Sequence, residues 1–121
     1  MIKIALIDDE VPITSMLQKS LSKNKDFEVS AYNNPKDGLA QLSKLNPDVV
    51  LLDIMMPQMD GIEVLTEIKK NHPGIKVIMM TAYSTLDRVL ASHKIGAEDY
   101  IMKPFESLKA VEDKILNVLK K

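Results

Sequence analysis

The 121-residue sequence contains no cysteine, which excludes disulfides, thiolate metal ligands and thiol nucleophiles. No apolar run approaches the roughly 20 residues needed to span a bilayer. The opening MIKIALIDDE lacks the layout of a signal peptide. An excess of one charge is missing too: 16 basic residues face 17 acidic ones, for a net charge of −1. That balance supplies no long-range pull toward nucleic acid or an anionic membrane. There is no G-x-x-x-x-G-K-[ST] loop and no glycine-rich first turn. Asp8-Asp9-Glu10 stands where phosphate-binding amides would be needed, which argues against nucleotide or flavin binding. A cytoplasmic location without membrane insertion or direct nucleic-acid binding is expected.

What is present is a globular pattern. Hydrophobic residues make up 45% and charged residues 27%, enough for one domain over residues 1–121 with a real core. Five short apolar runs, IKIALI (2–7), FEVSAY (27–32), DVVLL (48–52), KVIMM (76–80) and DYIM (99–102), alternate with helix-period segments. Ile13, Met16, Leu17 and Leu21 mark the first segment, and Leu39, Leu42 and Leu45 the second. Ile62, Leu65 and Ile68 mark the third, and Leu86, Val89 and Leu90 the fourth. Leu108, Val111, Ile115 and Val118 mark the last. Start signals agree. Asn34-Pro35 with Asp37 reads as a cap with a first-turn proline, and Asp60 with Glu63 and Ser84 with Asp87 read as capping boxes. Stops fall at Asn46-Pro47, His72-Pro73-Gly74 and Gly96. Five βα units imply a parallel sheet with helices on both faces.

The runs also order the sheet. Strands covered on both faces read as continuously apolar, as DVVLL, KVIMM and nearly IKIALI do, whereas an edge strand can alternate, as FEVSAY does. DYIM is short and is assigned to the other edge. With right-handed crossovers these placements predict a flavodoxin-like (βα)5 three-layer sandwich in strand order 2-1-3-4-5, a known template among doubly wound sheets.

Four of the five runs lead at once into a chemically capable residue: Asp8-Asp9, Asp53, Thr81 and Lys103. Carboxyl ends of parallel strands lie on one side, and ligands bind there at the switch point between strands 1 and 3. Three carboxylates, a hydroxyl and an ammonium are therefore expected to converge. Any one of them alone reads more readily as a cap or a solvated loop residue, and Asp60 is assigned that way. Two like charges at 4 Å repel by about 4 kcal/mol at an effective dielectric near 20, so three carboxylates cost at most roughly 12 kcal/mol. Either their pKa values rise or a cation sits among them. With oxygen ligands only, a hard cation such as Mg²⁺ suits the set. A carboxylate beside Mg²⁺ and a lysine can act as a nucleophile toward phosphorus, which makes Asp53 a candidate phosphate acceptor.

The motifs Asp8-Asp9-Glu10, LLDIMMPQMDG around Asp53, MTA at 80–82 and GAEDYIMKPF at 96–105 closely resemble the receiver domain of bacterial two-component response regulators. The resemblance implies a phosphorylation-activated switch rather than an enzyme. It implies that Asp53 takes a phosphoryl group from a phosphohistidine of a sensor kinase or phosphotransfer protein. Asp9, Asp53 and the Met55 carbonyl would ligate Mg²⁺ directly, and Asp8 through water. Thr81 and Lys103 would contact the phosphoryl group, Tyr100 would be the switch aromatic, and the Lys103-Pro104 peptide would be cis. Tyr83 is expected to shield the acyl phosphate. Output is expected on the face of the fourth helix, fifth strand and last helix, toward a downstream protein or a second copy. The chain is expected to act alone; the alternative is a receiver excised from a longer regulator or hybrid kinase.

Two rival readings carry less. An aspartate-based phosphohydrolase of the haloacid dehalogenase kind needs a second Asp two positions after the first, where this chain has Met55. A receiver-like binding module without phosphorylation usually lacks an acid or the lysine, and both are present. His72 and His93 read as solvated helix positions. The methionines read as core and loop packing.

Overall fold

A computed structural model describes residues 1–82 and 86–120. The expected cap Ser84 and shield Tyr83 lie outside the described residues. Five strands, β1 (Ile2–Ile7), β2 (Phe27–Tyr32), β3 (Val49–Asp53), β4 (Lys76–Thr81) and β5 (Asp99–Met102), alternate with five helices. These are α1 (Val11–Leu21), α2 (Pro35–Leu45), α3 (Gly61–Asn71), α4 (Leu86–Ile95) and α5 (Leu108–Leu119). All pairings are parallel and the order is β2-β1-β3-β4-β5, as the continuity of the apolar runs predicts. Asp53 and Thr81 close β3 and β4 rather than following them, because the Ile54 amide still bonds to the Met80 carbonyl at 3.1 Å and extends the ladder.

Side-chain alternation along the strands divides the core in two. Ala5, Ile7, Val50, Leu52, Val77 and Met79 pack toward α2, α3 and α4, against residues such as Leu42, Leu65, Ile68 and Val89. Ile4, Leu6, Val49, Leu51, Ile78 and Met80 pack toward α1 and α5, against Leu17, Leu21, Val111, Ile115 and Val118. Each fully buried Leu or Ile stabilises the fold by about 1.5–3 kcal/mol. By the same alternation Asp8 continues the Ile4–Leu6 row and Asp53 the Val49–Leu51 row. Both acids therefore reach the α1/α5 side of the sheet's carboxyl edge.

The helix ends follow their signals. Asn34 accepts from the amides of Lys36 and Asp37, Asp60 from Ile62, and Ser107 from Ala110. Asn46 ends α2 at φ 46°, and Gly96 follows α4 at φ 127°, a conformation open chiefly to glycine. Among the described residues, two stripe positions turn outward. Met16 is exposed because the inward row of α1 is Ile13, Leu17 and Leu21, and Leu90 is exposed because Val89 and Ser92 face the core. The edge strand β2 is less regular than its sequence implies: Phe27 is buried, but Val29, Ala31, Ser30 and Tyr32 are all half-buried. Among the described residues no helix is long and apolar enough to cross a membrane.

Candidate functional site

At the carboxyl edge, Asp8 and Asp53 are buried, at 0% and 4% exposure, and Thr81 is 2% exposed. Lys103 reaches in from the end of β5. Its ammonium lies 2.7 Å from Asp8 Oδ2, 3.3 Å from Asp53 Oδ1 and 3.2 Å from Glu10 Oε1. Oxygens of Asp8, Glu10 and Asp53 all lie within 4.8 Å of one another. Asp9 stands beside this trio, half-buried, and its carboxylate is not part of it among the described residues. Of the three aspartates that the sequence places at this edge, Asp8 and Asp53 converge and Asp9 does not join them, while the contact of Glu10 with Lys103 has no signal in the sequence.

The charge problem posed by clustered acids is met in both ways that electrostatics allows. Lys103 occupies the gap between the acids, and Asp53 is pushed up from 3.8 to about 7. Burial is the main cause, followed by the negative charge of Asp8, with Lys103 opposing both. The Lys103 ammonium is itself raised: burial disfavours its charge, but the hydrogen bond and charge of Asp8, then Asp53 and Glu10, outweigh that.

The surroundings hold these groups in place. Asn33 Nδ2 donates to the Asp8 carbonyl at 2.9 Å and to Thr14 Oγ1 at 2.8 Å, tying the end of β1 to α1. The Lys103 amide donates to the Thr81 carbonyl at 2.6 Å, and the Lys103-Pro104 peptide is cis. The Thr81 hydroxyl donates to the Ala82 carbonyl at 3.1 Å. Met55 lies in the loop after β3 with its side chain exposed. Asp60 does more than cap α3, since it also forms an ion pair with Arg88 on α4. Tyr100 is 39% exposed on β5, with the Lys114 ammonium 5.3 Å from its ring centroid. Asn33 and Gly61, which packs directly under Asp53, are the supporting residues that sequence reasoning missed.

The family model for the response regulator receiver domain matches residues 4–115. The chain belongs to that family. Among its relatives, the chemotaxis protein CheY of Listeria monocytogenes is 38% identical over 122 residues, covering 100% of this chain and 98% of its own. The DNA-binding transcriptional regulator NtrC of Salmonella typhimurium is 40% identical over 106 residues, 88% of this chain but 22% of NtrC. The crystal structure of a CheY-like receiver domain protein from Methanospirillum hungatei superposes with a TM-score of 0.92 at 32% identity, over 99% of this chain and 94% of that one. The receiver domain of NtrX from Brucella abortus gives 0.89 at 29% identity, over 98% of each. Receiver domains of two-component systems are phosphoacceptor switches in signal transduction that bind Mg²⁺, and the fold and family of this chain are theirs.

Proposed function

We propose that this receiver accepts a phosphoryl group on Asp53 from a phosphohistidine of a sensor kinase or phosphotransfer protein in a Mg²⁺-dependent reaction. One observation carries the reading: a buried, proton-hungry Asp53 carboxylate shares a lysine with a second buried acid. The Asp53 oxygen attacks phosphorus, the P–N bond breaks, and its electron pair returns to the imidazole nitrogen. Asp9, Asp53 and the Met55 carbonyl would hold Mg²⁺ directly and Asp8 through water, an all-oxygen set of the kind a hard cation takes, beside the cluster that Asp8, Glu10 and Asp53 already form. When bound, the ion supplies positive charge to the phosphoryl oxygens and lowers the pKa of Asp53.

The remaining work falls to the chain's own side chains. Lys103, released from Asp53, pairs with a phosphoryl oxygen. The Thr81 hydroxyl leaves the Ala82 carbonyl to donate to another. Tyr100 then turns inward, and the α4/β5/α5 face changes shape. Leu90 and Tyr100 give that face its exposed apolar groups, where a downstream protein, effector domain or second copy docks. The chain acts alone in this reading, or as the receiver of a longer regulator, and works in the cytoplasm where kinases hold their phosphohistidine.

Acetyl phosphate with Mg²⁺, followed by intact-mass measurement, tests the reading. A gain of one phosphoryl group in the parent and none in Asp53→Asn is expected. No gain, or the same gain in the variant, refutes it.

A further inference from the structure

Glu10 caps α1 through its backbone position, yet its side chain makes no capping hydrogen bond. Ser, Thr, Asp or Asn there would turn the side chain to the N2 or N3 amide, a bond the longer Glu does not make. Glu10 instead accepts from the Lys103 ammonium at 3.2 Å. Its own amide is fixed by Asp8 Oδ1 at 2.9 Å, so the turn that aims it is held by the acid pocket itself. The three carboxylates around Lys103 differ in depth. Asp8 and Asp53 are buried, whereas the Glu10 side chain is 58% exposed at the mouth.

We propose that Glu10 is a positioning residue for Lys103: it holds the ammonium at the mouth of the pocket, so that a divalent cation can enter without expelling the lysine. The proposal rests on the Mg²⁺-dependent acceptor reading above. Lys103 now bridges Asp8 and Asp53, the buried carboxylates that a divalent ion also needs. Two cations on the same oxygens repel each other, so Lys103 has to step outward. Glu10 is the carboxylate it already touches on that side. With Glu10 present the ammonium keeps a charge-assisted partner after the step. Without it, Lys103 stays between Asp8 and Asp53 and competes with the ion.

A direct ligand or a distant rim charge at Glu10 would also favour cation binding, but neither effect would run through Lys103. Calorimetric titration of the full chain with Mg²⁺ separates these cases. Glu10→Gln is expected to weaken Mg²⁺ binding about two- to fivefold, the scale of a partly exposed ion pair. That loss should vanish when Lys103 is already Met, since the cycle isolates the pair. Glu10→Asp, which keeps the charge but shortens the reach to Lys103, should bind Mg²⁺ as weakly as Glu10→Gln. An equal loss in both Lys103 backgrounds, no loss in Glu10→Gln, or parent-like binding by Glu10→Asp overturns the proposal. If Lys103→Met does not fold, the same cycle in a Lys103→Gln background decides it. A parent that binds no Mg²⁺ overturns the acceptor reading and the proposal with it, a result distinct from parent binding that Glu10 leaves unchanged.

Discussion

A carbon added at Gly61 would stand 2.2 Å from the backbone oxygen of Asp53 and 2.6 Å from Ile54 Cα. The first turn of α3 is pressed onto the end of β3, and the Gly61 amide seals the contact by donating to the Ile54 carbonyl at 2.8 Å. The obstacle is backbone, which cannot rotate aside as a side chain could. Gly61→Ala is therefore expected to cost about 1–3 kcal/mol, the usual penalty of overpacking, and to slow phosphorylation by acetyl phosphate. Urea denaturation and intact-mass kinetics measure the two effects. A variant matching the parent in both would show that the approach can relax without consequence.

Asp53 sets a pH dependence of stability. Its pKa is raised from 3.8 to about 7 in the folded protein, so the folded state binds this proton more tightly than the unfolded chain. The resulting stabilisation is fully present below about pH 4 and is lost as pH rises through about 7. In EDTA, Asp53→Asn should exceed the parent in stability at pH 8 by about 1–4 kcal/mol, with the gap closing toward pH 4. Adding Mg²⁺ should narrow it at pH 8. Denaturation curves across this range check the sign, and a gap that widens toward acid would contradict it.

Lys103 compensates two buried acids, so its removal should be felt more than that of a surface lysine. Lys103→Met leaves Asp8 and Asp53 without their cation, and breaking a buried pair from one side costs about 3–5 kcal/mol. Mg²⁺ should restore much of the loss, because it supplies the missing charge at the same place. Urea midpoints in EDTA and in Mg²⁺ test this. An equal deficit in both media would mean that the lysine contributes packing rather than charge.

The strand order was readable because residues 49–52 of β3 and 77–80 of β4 are continuously apolar, while β2 carries Glu28, Ser30 and Tyr32 on one row. The convergence of Asp8, Asp53 and Lys103 was legible for a topological reason: parallel strands deliver their last residues to one edge. Glu10 was not, since adjacency in Asp8-Asp9-Glu10 does not reveal which side chain turns inward at the start of α1. Asn33 carries no signal of its own in the sequence; its support of Asp8 depends on β2 lying beside β1 in the register Ile7 to Tyr32. Gly61 carries no side chain to advertise its role, which exists only where α3 meets β3. Helical spacing marked Met16 and Leu90 as apolar but could not tell the centre of a stripe from its flank.

The proposed role of Tyr100 in the switch can be tested directly. In this structure it is 39% exposed, with Lys114 near its ring and Lys114 Nζ also 3.0 Å from Asp99. Turning inward would give up a cation–π contact at an exposed site, worth about 0.5–1 kcal/mol, in exchange for burying much of an aromatic ring. Phosphorylation is therefore expected to shift Tyr100 toward a buried state that Lys114→Ala populates more readily. Fluorotyrosine NMR, with Tyr100 assigned by Tyr100→Phe, reads solvent exposure before and after treatment with beryllofluoride and Mg²⁺. The Tyr100 resonance should lose its solvent-isotope shift on treatment in the parent, and lose part of it without treatment in Lys114→Ala. A resonance equally exposed in all these states would separate Tyr100 from the switch and leave the output face to α4 and α5.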